Sequence, residues 1–182
     1  MMFLWGSYSF LLLICLFPTL HTCFQGILAV KHGLDTFEKL GISPEWTSQH
    51  VFDLASQLNQ RLGDLKYPSG EPVAVIYSDF SEGTTSEETQ GGIVAFNLLD
   101  SSGNHLGYSA FKSLAKMRGV TLRTGCFCNL GGCQRHLGLK DEEILEFHRL
   151  GHKCGSPAHD ILKGKVTGAV RASFGPYSNI QG

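Results

Sequence analysis

Residues 123–133 read R-T-G-C-F-C-N-L-G-G-C, and no other run constrains the chain as tightly. Three cysteines, Cys126, Cys128 and Cys133, fall within eight residues, with glycines on both sides and Arg123 just upstream. Glycine accepts positive φ angles and sharp turns, so the run is expected to form a tightly turned loop that can hold a side chain outward. A cysteine there is useful as a thiolate, and a nearby guanidinium favours that form. The plain alternative is a set of small, soft core residues, since free cysteine is among the most buried types. Buried cysteines are seldom flanked by so many glycines.

The rest of the composition narrows the setting. A chain of 182 residues with 42% hydrophobic and 17% charged residues can bury a real core in one domain, with or without a tail. The net charge of −1 and the absence of a Lys/Arg cluster give no electrostatic footprint for nucleic acid. Of six cysteines, Cys15 and Cys23 lie in an apolar head, and Cys126, Cys128, Cys133 and Cys154 in the remainder. A secreted disulfide framework is usually smaller, with its cysteines spread along the chain. Clustering in one loop points instead to reduced, intracellular thiol chemistry.

The head argues the other way. Residues 1–30 carry no charge, and residues 10–17 resemble the apolar part of a signal peptide or a short membrane anchor. Yet no basic residue precedes that run, and Pro18 follows it closely. A targeting segment, a buried apolar element and a head foreign to the domain, from a splice variant or gene-model error, all stay open. The expected division is residues 1–26 as this head and residues 27–182 as the domain.

Apolar periodicity predicts a helix from Ile27 through Leu40, ending near Gly41. Ser43-Pro44-Glu45 reads as the N-cap, first-turn proline and first-turn acid of a second helix. That helix should bury Val51, Leu54, Ala55, Leu58, Leu62 and Leu65. Strands are expected at 73–77, 92–98, 120–123 and 168–175, where β-branched and apolar residues concentrate. Further helices are expected at 109–118, with Phe111, Leu114 and Ala115 on one face, and from Asp141 to about Leu150, with a single turn at 133–137. The fold class is therefore α+β, a short sheet covered by helices on one face.

Three chemistries compete for the cysteine loop. Cys126, Cys128, Cys133, Cys154, His136, His148 and His152 could together supply zinc ligands, but C-x-C-x4-C lacks paired C-x2-C knuckles. A cysteine hydrolase needs a base such as His136 or His148 beside the thiol, and no base–orienter pair is evident. Sulfur transfer needs an exposed loop thiolate, a cation beside it and an anchor for an amino-acid carboxylate. Cys128, Arg123 and Arg171 would fill those roles, since arginine can grip a carboxylate through two parallel hydrogen bonds.

Five segments carry a resemblance: residues 27–33 (I-L-A-V-K-H-G), 91–97 (G-G-I-V-A-F-N), 123–129 (R-T-G-C-F-C-N), 133–137 (C-Q-R-H-L) and 167–175 (T-G-A-V-R-A-S-F-G). In this order they resemble the end of the class V aminotransferase, cysteine-desulfurase-like region of the molybdenum cofactor sulfurase family, over roughly residues 24–175. The resemblance implies the small C-terminal domain of a fold-type I pyridoxal-phosphate transferase. It implies that Cys128 becomes a persulfide, that Arg171 binds the carboxylate of L-cysteine, and that Arg123 lies near the active thiol. It further implies a cytoplasmic enzyme that sulfurates the molybdenum cofactor and so activates xanthine dehydrogenase and aldehyde oxidase, with a possible dimeric contact to a full-length sulfurase.

The chain departs from the family's pattern in places. Leu130 and Gly132 stand where proline and alanine are common, Cys154-Gly155 leads into Ser156-Pro157 rather than an aspartate, and Pro176 follows Phe174-Gly175. None of the nine lysines has the Ser/His context of a pyridoxal-phosphate lysine. The expectation is thus a fragment or short isoform, inactive in isolation. The alternatives are a binding module without catalysis or a Cys/His zinc domain.

Overall fold

A computed structural model describes residues 18–78, 85–153 and 159–180, with only the backbone described for 18–23. The signal, anchor or foreign-head expectation for residues 1–26 therefore falls mostly outside the described residues. No helix among the described residues is long and apolar enough to cross a membrane. The chain forms two compact units, one up to Trp46 and one from Thr47 onward.

The first unit is built on α1 (Pro18–Lys39). Proline suits the first helical position because its missing N–H has no partner there anyway. Lys31 and Asp35 pair one turn apart at 2.6 Å. The helix stops at Gly41, as its sequence predicts, with φ at +68° and the Ile42 N–H donating to the Phe37 carbonyl at 2.9 Å. Ser43 then caps the next helix, its hydroxyl accepting from the Trp46 N–H at 3.1 Å. Ile27, Val30 and Leu34 lie exposed along α1.

That next helix, α2 (Pro44–Asp64), runs into the second unit and precedes β1 (Ala74–Ile76) and β2 (Ile93–Leu98). There follow α3 (Tyr108–Met117), β3 (Arg123–Gly125), α4 (Leu130–Leu137) and α5 (Asp141–Arg149). A hairpin of β4 (Ile161–Leu162) and β5 (Lys165–Val166) leads into β6 (Ala169–Ser173). β1, β2, β6 and β3 form one antiparallel sheet in that order.

Side chains alternate between the faces of a strand, so the register sorts the sheet into two surfaces. Val94 opposes Ala172 and Phe96 opposes Val170. These four form the core with Ala55 and Leu62 of α2 and Tyr108 of α3. The core is thus sealed by helices on one face, the α+β arrangement expected from sequence. The other face carries Ala95 and Asn97 of β2, Arg171 of β6 and Arg123 of β3.

Several local expectations need correction. β3 lies three residues beyond the expected 120–123 start, because Arg123, Thr124 and Gly125 find partners in Arg171, Val170 and Ala169. α4 is an eight-residue helix rather than one turn. Leu65 is exposed because α2 ends at Asp64, and Leu114 and Leu150 are exposed as well. The β4–β5 hairpin was not anticipated. It turns at Lys163 and Gly164, both with positive φ, as a tight two-residue hairpin turn requires.

Candidate functional site

β3 ends at Gly125, opposite Ala169. The chain comes so close there that a Cβ on Gly168 would lie 2.6 Å from the Gly125 backbone, which only glycine permits. This approach brings the cysteine loop against the T-G-A-V-R-A-S segment. The Cys126 sulfur sits 3.0 Å from the Thr167 carbonyl oxygen. Thr167 is itself buried and pinned, its hydroxyl 2.9 Å from the Tyr108 hydroxyl and 3.0 Å from the His159 carbonyl.

Phe127 and Cys128 follow with φ of +56° and +58°. Two successive non-glycine residues in the left-handed region are costly and persist only where the surroundings fix them. Here the fixing is visible. The Asn129 N–H donates to the Cys126 carbonyl at 2.9 Å, and the Asn129 side chain accepts from the Gly132 N–H at 3.0 Å, capping α4. Cys126 and Cys133 are joined by a disulfide, with their Cα atoms 5.8 Å apart. Cys128, at the apex of that arc, is free and exposed.

The expectation of three reduced loop thiols is therefore corrected for two of them. The first turn of α4 folds back onto the end of β3, which brings Cys133 to Cys126 and leaves Cys128 outside the pair. Cys15, Cys23 and Cys154 lie outside the residues whose side chains are described. Among the described residues no three histidine, cysteine or acidic side chains stand together in a metal-binding group. His136, one of the zinc or base candidates, instead rests 6.0 Å from the Tyr77 ring.

Arg171 lies beneath the loop. Its guanidinium carbon is 4.9 Å from the centroid of the Phe127 ring, and its Nε is buried without a hydrogen-bond partner. Arg123 is exposed and sits directly opposite Arg171 across the β3–β6 ladder, on a strand rather than in the loop. Like charges facing each other on a sheet destabilise it, and neither guanidinium has an ion pair with an acid among the described residues. The pair is suited to an anion. The structure thus brings together the loop holding Cys128, Arg171 and Arg123, the three residues singled out from sequence.

Three contributors escaped the sequence reading. Phe127 stacks on Arg171. Asn97, fully buried, donates from Nδ2 to the Gly168 carbonyl at 2.9 Å and to the Tyr77 hydroxyl at 3.1 Å, while its Oδ1 lacks a partner. Burial raises the Tyr77 phenol above its ordinary pKa, the Asn97 contact opposing only part of that. A polar residue closing the apolar run G-G-I-V-A-F-N was the one signal that could have flagged Asn97.

Comparison with known proteins gives consistent results. The chain is 46% identical over 157 residues to the molybdenum cofactor sulfurase of Homo sapiens, a match covering 86% of this chain and 17% of that protein. It is 44% identical to that of Bos taurus over 158 residues, 87% of this chain and 18% of the relative. The Bombyx mori sulfurase matches at 38% over 178 residues, 97% of this chain and 20% of the relative. The chain thus spans about a fifth of the length of these relatives. No protein-family model and no solved structure matches it.

Proposed function

This chain belongs to the molybdenum cofactor sulfurase family, and on that premise we propose that it is the sulfur-carrying segment of such an enzyme, with residues 27–182 forming part of its desulfurase-like small domain. Cys128 takes a sulfur atom from L-cysteine, whose carbon–sulfur bond breaks to leave alanine, and holds it as a persulfide for delivery to the molybdenum cofactor. The observation that carries this reading is the free, exposed Cys128 at the apex of a loop whose two other cysteines are bonded to each other. A sulfur carrier needs an accessible nucleophilic thiol, and Cys128 is exposed.

The arginines supply substrate recognition. Phe127 lies against the Arg171 guanidinium, whose N–H groups are the kind that grip a carboxylate by two parallel hydrogen bonds. The Nε is buried without a hydrogen-bond partner, an unmet demand for an acceptor at this place. Arg123, facing Arg171, adds positive charge at the same place.

The residues present do not fit covalent attachment of pyridoxal phosphate, which the family reading implies. Lys31, Lys163 and Lys165 are tied to Asp35, Glu146 and Glu143, and no lysine has the expected serine–histidine context. No step proposed for these residues runs through that group. Their part is to hold the substrate carboxylate and to accept and carry sulfur.

Brief alkylation of the folded, unreduced chain, followed by peptide mapping and elemental analysis, tests the reading. Cys128 should be labelled while Cys126 and Cys133 are spared, with no stoichiometric zinc. Equal protection of all three with bound zinc would replace sulfur transfer by metal binding.

A further inference from the structure

Sulfur on a cysteine persulfide is at the oxidation level of the element, and it leaves as hydrosulfide only if two electrons are supplied. The loop that holds Cys128 contains a pair of thiols able to supply them. Cys126 and Cys133 bracket Cys128 in sequence and are close enough to be bonded to each other. The Cys126 sulfur also lies 3.0 Å from the Thr167 carbonyl oxygen, a contact that only a thiol S–H can use as a donor. Its surroundings therefore suit the dithiol as well as the disulfide.

We infer that Cys126 and Cys133 are a built-in two-electron reductant that discharges the Cys128 persulfide as hydrosulfide. This rests on the reading of Cys128 as the persulfide carrier and extends it to how the sulfur leaves. In the dithiol state the Cys126 thiolate, its proton lost to solvent, attacks the outer sulfur of the Cys128 persulfide. The sulfur–sulfur bond breaks, Cys128 departs as a thiolate, and Cys126 now bears the persulfide. The Cys133 thiolate then attacks the Cys126 Sγ, hydrosulfide leaves with the bonding pair, and the Cys126–Cys133 disulfide forms.

The sum is one persulfide and two thiols giving one thiol, one disulfide and one hydrogen sulfide. The transferred sulfur gains two electrons, and the two cysteine sulfurs lose one each. An external dithiol reductant restores the pair for another round. An acceptor that takes up sulfide then needs no electrons of its own.

The test uses the full 182-residue chain, fully reduced, freed of reductant and kept anaerobic. It is given glutathione persulfide labelled in its outer sulfur, and the donor is removed. Label should leave as hydrosulfide in equal amount to the Cys126–Cys133 bridge that appears, as read on non-reduced peptides by mass spectrometry. Cys133→Ser, and independently Cys126→Ser, should keep the label on the protein. Hydrosulfide released without bridge formation, or label held on Cys128 beside an unbridged pair in the unsubstituted chain, would overturn the inference alone. If Cys128→Ser takes up label as well as the unsubstituted chain does, the carrier assignment itself fails, and this inference with it.

Discussion

Arg171 and Phe127 meet face to centre, the guanidinium carbon 4.9 Å from the ring centroid. The contact ties β6 to the residue immediately before Cys128, so the Arg171 guanidinium and the cysteine loop are held by one interaction. Phe127 adopts a left-handed backbone to make it.

Replacing Arg171 by lysine should weaken L-cysteine binding in a human sulfurase whose matching region is exchanged for this chain. Lysine keeps the charge but loses the planar fork, and a charge-assisted contact is worth about 1.5–3 kcal/mol, or roughly tenfold or more in KM. Steady-state kinetics with L-cysteine measure this. An unchanged KM in a folded variant would remove Arg171 from the substrate site.

Phe127→Ala in the same chimera removes the shelf and leaves Arg171 free to swing. A cation–π contact contributes about 0.5–2 kcal/mol, so KM should rise by several-fold, and Phe127→Trp should restore it. Rescue by Trp separates stacking on Arg171 from simple bulk, which Phe127→Leu would supply equally well.

Asn97→Leu should destabilise the chain by about 1–3 kcal/mol, because the Gly168 carbonyl and the Tyr77 hydroxyl lose their buried donor. Urea unfolding measures it. A neutral result would show that the buried amide does not hold Gly168 beside Gly125.

Acidification should weaken the fold through His105 and His152, whose pKa values burial lowers. Between those lowered values and about 6.5 the unfolded state binds more protons. Their contribution to stability is therefore complete above about pH 6.5 and is lost as pH falls below it. The melting temperature should drop between pH 7 and 5, and the double variant His105→Gln/His152→Gln should flatten that drop. Glu143, whose carboxyl the hydrogen bond from Lys165 lowers, acts in a more acidic window and leaves this comparison undisturbed.

Much of this was legible from sequence where local chemistry decides the outcome. The Ser43 cap, the stop at Gly41 and the apolar strands 92–98 and 168–175 follow from short-range preferences that the packed chain keeps. Cys128, Arg123 and Arg171 were legible as types suited to one chemistry. What escaped depends on partners far along the chain. The start of β3 is set by pairing with β6, not by the strand-favouring Val-Thr-Leu run at 120–122. The bond between Cys126 and Cys133 depends on α4 starting at Leu130, and the role of Phe127 depends on a strand 44 positions later.

The most direct measurement locates the sulfur. The chimeric sulfurase is incubated with L-cysteine, quenched without reductant, alkylated and mapped by peptide mass spectrometry. The peptide bearing Cys128 should gain one sulfur, and Cys128→Ser should abolish the gain while leaving pyridoxal phosphate absorbance intact. Added sulfur that survives Cys128→Ser, or that resides outside this loop, would contradict Cys128 as the carrier.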